Sequence, residues 1–357
     1  MIHGPKRETI LILPILLSCL ALGGPSNSDG PVNAALPIAD GLDASITKGS
    51  LRIDRGDQEP IWVPPAESLE FEVELDLGLL GDTGLGVVIM SSGVEPFVSG
   101  LPLPGQKLST GGKNVGWIRI TAHGEQLGYK LNHSIGTRFL PQVWPASINS
   151  ETQTGSESRK REIKIGQRDG EWMSEYRANG HCAGCERKEH FVIATLPWNN
   201  DYHCDRCKRA EHRHWKEPTP RAVPAQALDI LGSVYLARNM IRSGLPEVNT
   251  TMVQKSDLWN VTLRSGQVAD IRVPAGTFRC REVLLIVKPM PGEEGENRKF
   301  SGIFGIKGAL KIWMNEGTGV PVLIEGDVPV GDIVDLHAKI RLAKFRGTPP
   351  AFRPIGD

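Results

Sequence analysis

The clearest periodic pattern in the chain is an unbroken alternation of apolar and acidic side chains over residues 69–77. The apolar members are Leu69, Phe71, Val73, Leu75 and Leu77, and between them lie Glu70, Glu72, Glu74 and Asp76. Successive side chains of a β-strand point to opposite faces, so this period predicts a strand with one buried and one solvated face. Such strands are typical of antiparallel sheets. We therefore expect the five apolar side chains to face the core.

Further strand patterns occur in both halves of the chain, each bounded by Gly, Asn or Asp turn signals. In the first half they cover 85–90, 116–122, 128–131 and 162–165, and in the second half 259–263, 268–273, 281–287, 309–314, 320–324 and 333–345. Ser265-Gly266 and residues 316–319 are predicted hairpin turns. One helix is predicted at 229–242, capped by Asp229 and ended by Gly244. These patterns predict a mainly β protein: an antiparallel barrel or strongly curved sheet from both halves, with the helix across an open end or face.

The amino terminus has the layout of a secretory signal. Lys6 and Arg7 precede an apolar run at residues 10–21, which small residues follow. A membrane-spanning helix needs about twenty apolar residues, so this run is too short to cross a bilayer. We expect cleavage between residues 23 and 28 and a mature protein in the periplasm or cell envelope. Cys19 loosely resembles the modified cysteine of a bacterial lipoprotein, so lipid anchoring through Cys19 is the alternative to a plain secretory signal.

The amino-acid composition indicates how the chain is organised into domains, and it does not identify an activity. The sequence contains 40 Gly and 26 Pro, which favours turns over long helices, and its 41 Lys plus Arg balance 41 Asp plus Glu. This balance gives no overall field that would attract nucleic acid or an anionic membrane. After the signal, no apolar run reaches the length of a transmembrane helix. We predict a signal peptide at 1–25, a flexible leader at 26–65, a β domain at 66–350 interrupted by a cysteine-rich insertion at 172–217, and a tail at 351–357.

The second half of the chain carries a series of motifs that resembles one bacterial family. In chain order the motifs are the helix sequence 228–238, the turn 273–278, and the segments 305–313, 320–325 and 329–331. Together they make the chain resemble the bacterial domain-of-unknown-function family 3108, over 227–342 and more weakly over 69–165. The resemblance implies an exported protein with an antiparallel barrel or half-barrel, and it implies no established activity. The cysteine-rich segment departs from the pattern of that family.

The strongest chemical signal is a pair of Cys-x-x-Cys motifs. Cys182 and Cys185 are separated by eighteen residues from Cys204 and Cys207, a spacing typical of a four-thiolate zinc site. A histidine precedes each motif, which makes the two halves pseudo-equivalent knuckles. Metal binding supplies folding free energy to a segment that has few aliphatic residues. We therefore predict that these four side chains bind a structural zinc ion.

Two alternatives to zinc stay open at the four cysteines. An exported protein meets oxidising conditions, so the thiols can form two disulfides, whose pairing the sequence does not determine. A redox-active Cys-x-x-Cys pair is the other alternative. Neither pair opens a predicted helix after a strand, which disfavours the redox interpretation.

The function predicted from these observations is a binding or structural role without catalysis. Residues 159–221 contain fourteen Lys or Arg and ten Asp or Glu, which in an exported protein indicates a solvated charged surface and no nucleic-acid site. His133 is predicted to be a hydrogen-bonded packing residue. His-Glu-x-x-His and Gly-x-Ser-x-Gly motifs do not occur in the sequence. We predict a non-enzymatic envelope protein for an apolar or glycan ligand or a partner protein; the alternatives are a thiol–disulfide enzyme or a hydrolase at the barrel mouth.

Overall fold

The computed structural model describes residues 50–51, 62–76, 82–96, 114–126, 129–140, 147–155, 159–180, 204–208, 214–291, 300, 302, 307–330 and 334–356. Within these ranges the chain forms seventeen strands, all in one sheet, and two helices, α1 (Asp205–Lys208) and α2 (Ile230–Arg242). The strands of the first half are β1 (Ser50–Leu51), β2 (Ala66–Asp76), β3 (Asp82–Pro96), β4 (Asn114–Gln126), β5 (Tyr129–Phe139), β6 (Ser147–Gly155), β7 (Arg159–Arg168) and β8 (Glu171–Gly180). Those of the second half are β9 (His214–Trp215), β10 (Thr219–Ala222), β11 (Ala227–Leu228), β12 (Glu247–Gln254), β13 (Asp257–Val273), β14 (Gly276–Pro289), β15 (Lys307–Asn315), β16 (Pro321–Val330) and β17 (Val334–Arg346).

Two antiparallel meanders make up the sheet. Strands β2 to β8 pair in sequence order, and strands β12 to β17 do the same. The last strand, β17, pairs with β2, with Ile340 opposite Val73. This pairing joins the two meanders and confirms the predicted antiparallel sheet assembled from both halves.

The sheet is strongly curved but not closed. Residues 219–228 lie between the two outer strands of the meanders, β8 and β12. Strand β10 pairs antiparallel with β8, and β11 pairs parallel with β12. Between them, Val223 N donates to Trp172 O at 2.9 Å. We call residues 219–228 the seam. They bridge strands β8 and β12, which are joined through β10 and β11 and not by pairing directly with each other.

Strand β2 has the two faces that its alternating sequence predicts. The apolar side chains that are buried or packed against the core are Leu69, Phe71, Val73 and Leu75. The acidic side chains lie on the opposite face, where Lys344 Nζ donates to Glu70 Oε1 at 2.7 Å. The predicted register is therefore confirmed for these residues, and Leu77 lies outside the described residues.

Several elements differ from the prediction. The short helix α1 was not predicted, nor were strands β1, β6 and β8 to β12. The predicted hairpin turn at Ser265-Gly266 is wrong, because β13 continues through it with a register shift between Ser265 and Val268. Such a bulge bends a strand without ending it. The turn at 316–319 is confirmed, since Asn315 N donates to Val320 O across it at 2.8 Å.

Helix α2 packs against the inner face of the curved sheet, which was one of the two predicted positions, the other being an open end. Ten of its thirteen residues are buried, and a helix that is buried on nearly all sides must be apolar on nearly all sides. The predicted caps are confirmed. Asp229 Oδ1 accepts a hydrogen bond from Gly232 N at 2.7 Å, and Gly244 takes a φ of +66° after the last turn.

Close backbone packing also holds α2 against the second meander. Gly319, in the turn between β15 and β16, has a φ of +68°. A Cβ at this position would lie 2.6 Å from the carbonyl oxygen of Arg238. Glycine is therefore needed here both for the backbone conformation and for the contact with the helix.

A buried ion pair fixes α2 to β2. Arg238 Nη1 and Nη2 donate to Glu67 Oε2 and Oε1 at 2.5 and 3.1 Å, and these side chains are 0% and 1% exposed. The guanidinium carbon also lies 5.0 Å from the ring centroid of Tyr235. Two parallel charge-assisted bonds set the angle as well as the distance between the helix and the strand.

Replacing Arg238 with Met is expected to destabilise the fold by about 3–5 kcal/mol, because the Glu67 carboxylate is left buried without its partner. The double variant Arg238→Met, Glu67→Met should recover much of this loss, since it removes both charges and keeps the apolar volume. Chemical denaturation followed by circular dichroism measures the free energies of unfolding. Strictly additive effects of the two single substitutions would contradict mutual compensation of the charges.

Candidate ligand-binding site

At one end of strands β5 to β8, the inner face of the sheet changes from apolar to polar. On β7, Ile165 and Ile163 are buried, and Arg161 and Arg159 continue along the same face to the first residue of the strand. On β6, the same face carries Ser147, Asn149, Glu151 and Gln153. We call the site formed by seven side chains the polar recess. They are His133, Glu151, Gln153, Arg159, Arg161, Tyr176 and Lys255.

Strand register arranges these side chains in layers. In the deepest layer, Asn149 lies opposite Thr137 and Ile163. In the next layer Glu151 lies opposite Arg161, and in the outermost layer Gln153 lies between His133 and Arg159. On β7 each step towards this end of the sheet replaces an apolar side chain by a charged one, whereas on β5 the apolar Ile135 lies opposite Glu151, between Thr137 and His133.

Glu151 is the centre of the charged contacts. Arg159 Nη2 donates to Glu151 Oε1 at 2.7 Å, His133 Nε2 lies 3.2 Å from the same oxygen, and Arg161 Nη1 lies 3.5 Å from Oε2. Burial alone would raise the pKa of Glu151, but the hydrogen bond with His133 and the charges of Arg161 and Arg159 outweigh burial. They hold the pKa of this carboxyl well below its usual range. Glu151 is therefore ionised, and it accepts hydrogen bonds from Arg159 on β7 and from His133 on β5.

Lys255 reaches the recess from the turn between β12 and β13. Its φ of +56° is unusual for a residue with a side chain, and Arg221 Nη1 anchors the same turn by donating to Ser256 O at 2.6 Å. Burial and the positive charges of Arg161 and Arg159 lower the pKa of Lys255. Three basic side chains from two distant parts of the chain therefore act on one another in this recess.

Two buried donors of the recess have no acceptor among the described residues. They are Gln153 Nε2 and Arg159 Nε, and Gln153 is only 3% exposed. A buried donor without an acceptor is unfavourable by about 1–3 kcal/mol, so native proteins satisfy nearly all of them. An acceptor supplied by a bound molecule would remove this penalty.

A second polar network forms the floor of the recess and joins it to α2. Asn149 Nδ2 donates to Thr137 Oγ1 at 2.9 Å, and Thr137 Oγ1 donates to Asp229 Oδ2 at 2.8 Å. Burial raises the pKa of Asp229, against the opposing effect of the hydrogen bonds from Gly232 and Thr137. The residue that caps α2 is thus also the deepest polar group below the recess.

The predicted cysteine site falls only partly within the described residues. Cys182 and Cys185 lie outside them. Cys204 is exposed and Cys207 is buried, and Cys207 N donates to Cys204 Sγ at 3.4 Å. This pair lies at the start of the four-residue helix α1, which the sequence did not predict; the expectation that neither pair opens a helix after a strand is not tested, because the residues before Cys204 lie outside the described ranges. No cluster of three or more metal-type ligands occurs in the described part of the chain, which omits half of the predicted ligand set.

The polar recess was not predicted from the sequence. Arg159 and Arg161 were expected on a solvated surface, and this expectation is wrong because β7 turns both side chains to the inner face. The prediction of a hydrogen-bonded packing role for His133 is confirmed by its contact with Glu151. The available signal was parity, since Arg159 and Arg161 lie at even spacing from the apolar Ile163 and Ile165.

An outer depression of about 430 Å³ is a weaker candidate. It is lined by Arg272, Val273, Pro274 and Arg341. Arg341 already pairs with Glu74, so the charge that it offers a ligand is largely neutralised. Arg341 Nε is also a buried donor without an acceptor among the described residues, but the polar recess has two such donors, Gln153 Nε2 and Arg159 Nε, among three basic side chains, and it is the better candidate.

The fold and the recess define a protein with a strongly curved, open antiparallel sheet around one buried helix. Neither a protein-family model nor a curated protein matches the chain. Membership in family 3108 therefore stays a prediction. In the described ranges, no helix has the length and apolar character needed to cross a membrane.

Two solved structures are similar to this chain. A β-barrel-like protein of domain-of-unknown-function family 1849 from Brucella abortus has 8% identity and a TM-score of 0.43, covering 79% of this chain and 97% of its own. A candidate exported protein with a YmcC-like fold from Bacteroides fragilis has 9% identity and a TM-score of 0.27, covering 78% and 95%. Similarity at this level carries no argument about function, which must come from the residues of this chain.

Replacing Glu151 with Gln is expected to destabilise the fold by about 1–3 kcal/mol at pH 7, because Arg159 and Arg161 lose a charged acceptor. The folded-state pKa of Glu151 lies below its unfolded value, so this contribution is full above the unfolded pKa and declines as the pH falls below about 4.5. The stability gap between wild type and variant should therefore narrow in acid. Denaturation at pH 7 and pH 3 measures it.

The matched control is Glu72→Gln, which changes an exposed carboxylate on β2. Its effect should stay within about 0.5 kcal/mol at both pH values. A gap for Glu151→Gln that stays constant between pH 7 and pH 3 would contradict the proposed charge contacts.

Proposed function

We propose that the chain is an exported, non-enzymatic protein of the periplasm or cell envelope that binds a ligand at the polar recess. The observation that carries this proposal is the buried pair of unpartnered donors, Gln153 Nε2 and Arg159 Nε, among inward-facing charged groups. Apolar residues at these positions would have extended the core at no desolvation penalty. A set of buried polar groups that lacks acceptors suits a site that is completed by a bound molecule.

The packing of the interior directs a ligand to this end of the sheet. Helix α2 and the inward side chains of both meanders form one continuous hydrophobic core. A second, smaller core that includes Ile163, Val253 and Leu258 lies next to the recess. Binding at the recess leaves both cores intact, so a polar ligand or the polar group of a glycan or partner protein fits better than an apolar one.

The amino-terminal pattern supports export. Lys6 and Arg7 followed by the short apolar run at 10–21 form the signal layout. Resemblance to family 3108 implies the same location. Lipid anchoring at Cys19 remains the alternative form of attachment.

We further propose that Cys182, Cys185, Cys204 and Cys207 bind a structural zinc ion. The described half of this set fits such a site, since the bond from Cys207 N to Cys204 Sγ brings the backbone amide to a potential thiolate ligand. The segment is also closed at its base. Gly180 at the end of β8 pairs with His214 at the start of β9, and the guanidinium of Arg177 lies 4.5 Å from the Trp215 ring. Residues 181–213 thus leave and re-enter the sheet at one point.

Thiol–disulfide exchange is the second candidate function. The observation that favours it is the combination of an exposed Cys204 with a buried Cys207 at the start of α1. Reactive Cys-x-x-Cys pairs sit at helix N-termini with one accessible sulfur. This function and the structural zinc site exclude each other at Cys204, because a zinc-bound thiolate with four protein ligands has no open position.

The binding proposal is tested with the full chain carrying a carboxy-terminal tag. We expect the protein in the extracytoplasmic fraction, with a bound small-molecule mass in native mass spectrometry. Arg161→Met should lose this mass, and Lys160→Met, the same charge change on the outer face of β7, should retain it. Retention of an uncleaved chain in the cytoplasm would refute export, and equal loss in both variants would refute the recess as the site.

The zinc proposal predicts one zinc per chain in the wild type and none in Cys204→Ser. Without the metal, residues 181–213 should become protease-sensitive while the sheet stays protected, because the β8–β9 pairing isolates the segment from the core. Elemental analysis and limited proteolysis measure both effects, and Cys280→Ala, a buried cysteine of the sheet, should keep its zinc. A metal-free wild type whose Cys204–Cys207 pair cycles between thiol and disulfide would instead establish thiol–disulfide exchange.

A further inference from the structure

The groups of the polar recess define the chemistry of the ligand that completes it. We infer that the recess binds an oxyanion, a phosphate or carboxylate group, through Gln153, Arg159, Arg161 and Lys255. This inference rests on the proposed function, because it names the ligand class of the same site.

Charge is the first argument. Three basic side chains, Arg159, Arg161 and Lys255, converge on the recess, and two carboxylates act there, Glu151 on the arginines and Asp257 on Lys255. These three basic side chains and two carboxylates balance to 3 − 2 = +1, and Lys216, which acts on Tyr176, adds to the positive side. Burial first, and then the like charges of Arg161 and Arg159, lower the pKa of Lys255, so the positive charge of this side chain is disfavoured in the recess. A bound anion neutralises the excess positive charge, whereas a bound metal ion would increase it.

The direction of the unpaired hydrogen bonds is the second argument. Gln153 Nε2 and Arg159 Nε are both donors, so the missing partners are acceptors. A neutral carbonyl or hydroxyl oxygen could accept from one of them but would leave the positive charge unbalanced. A phosphate or carboxylate supplies several acceptor oxygens and the compensating charge together, which is the chemistry that arginine recognises best.

The remaining groups position these donors. Glu151 holds Arg159 through Nη2 and holds Arg161 within 3.5 Å, so neither guanidinium has to be ordered when a ligand arrives. Burial raises the pKa of Tyr176, which keeps its hydroxyl neutral and therefore free of repulsion towards an anion. The interaction of Arg221 with Ser256 O fixes the turn that carries Lys255.

The test is isothermal titration of the full chain with sodium phosphate, sodium acetate and maltotriose, at constant ionic strength. We expect saturable binding of phosphate or acetate, and the preferred anion identifies the kind of oxyanion. Arg161→Met should weaken that binding by about tenfold or more, since hydrogen bonds to charged groups contribute the most to affinity. Gln153→Glu, nearly equal in size, should weaken it at least as much by placing a negative charge beside Arg159.

Lys160→Met is the matched control, because it removes the same charge from the exposed face of β7. The affinity of the Lys160→Met variant for the preferred anion should stay within about twofold of the wild-type value, because surface charges at a distance are screened. Equal weakening in Lys160→Met and Arg161→Met would overturn the inference by showing general attraction only. Failure of both anions to bind would also overturn it. A third outcome is that the wild type binds maltotriose but neither anion, and that Gln153→Glu abolishes the binding of maltotriose. This would overturn the oxyanion as the ligand class and would support the proposed binding function at the recess.

Discussion

The burial of helix α2 inside the curve of the sheet is the constraint on which the rest of the structure depends. A sheet that curves without closing has an inner face too large for its own side chains to fill, and the helix supplies the missing apolar volume. Two polar contacts fix its position along and around its axis. Asp229 holds its first turn against β5 through Thr137, and Arg238 holds its last turn against β2 through Glu67. Because both contacts are buried, a shift of the helix by one turn would break them and leave Glu67 and Arg238 charged and buried without each other.

This placement also decides where the molecule can carry a polar site. Where the helix covers the inner face, the side chains there are mainly apolar, and the charge of Glu67 is paired with Arg238. In front of Asp229, where the helix has not yet begun, no helix covers the inner face of β5 to β8. That part of the face can carry His133, Glu151 and Arg161. The chemistry of the recess therefore follows from where the helix begins, and its polar floor is the helix cap itself.

Much of the architecture could be predicted from local patterns. The apolar and acidic alternation of β2 and the two caps of α2 depend on residues close together in sequence, so their signals are strong. Strand β6 gave none, because its inward residues Ser147, Asn149, Glu151 and Gln153 are polar and its two faces do not differ in hydropathy. The bond between Glu67 and Arg238 joins residues 171 positions apart, and such pairing depends on the whole fold. For the same reason, no local pattern could bring Lys255 beside Arg159.

The seam gives the sheet an uneven mechanical strength. Its strands hold the edges together through four residue pairs with β8 and two with β12, whereas β2 and β3 are joined through eleven. Local opening requires least free energy where the fewest backbone hydrogen bonds must break, so the sheet unzips first along this line. The same short stretch connects the cysteine segment to α2 in sequence, and Arg221 within it holds the turn of Lys255. Opening of the seam therefore loosens one wall of the recess while the helix and both meanders stay packed.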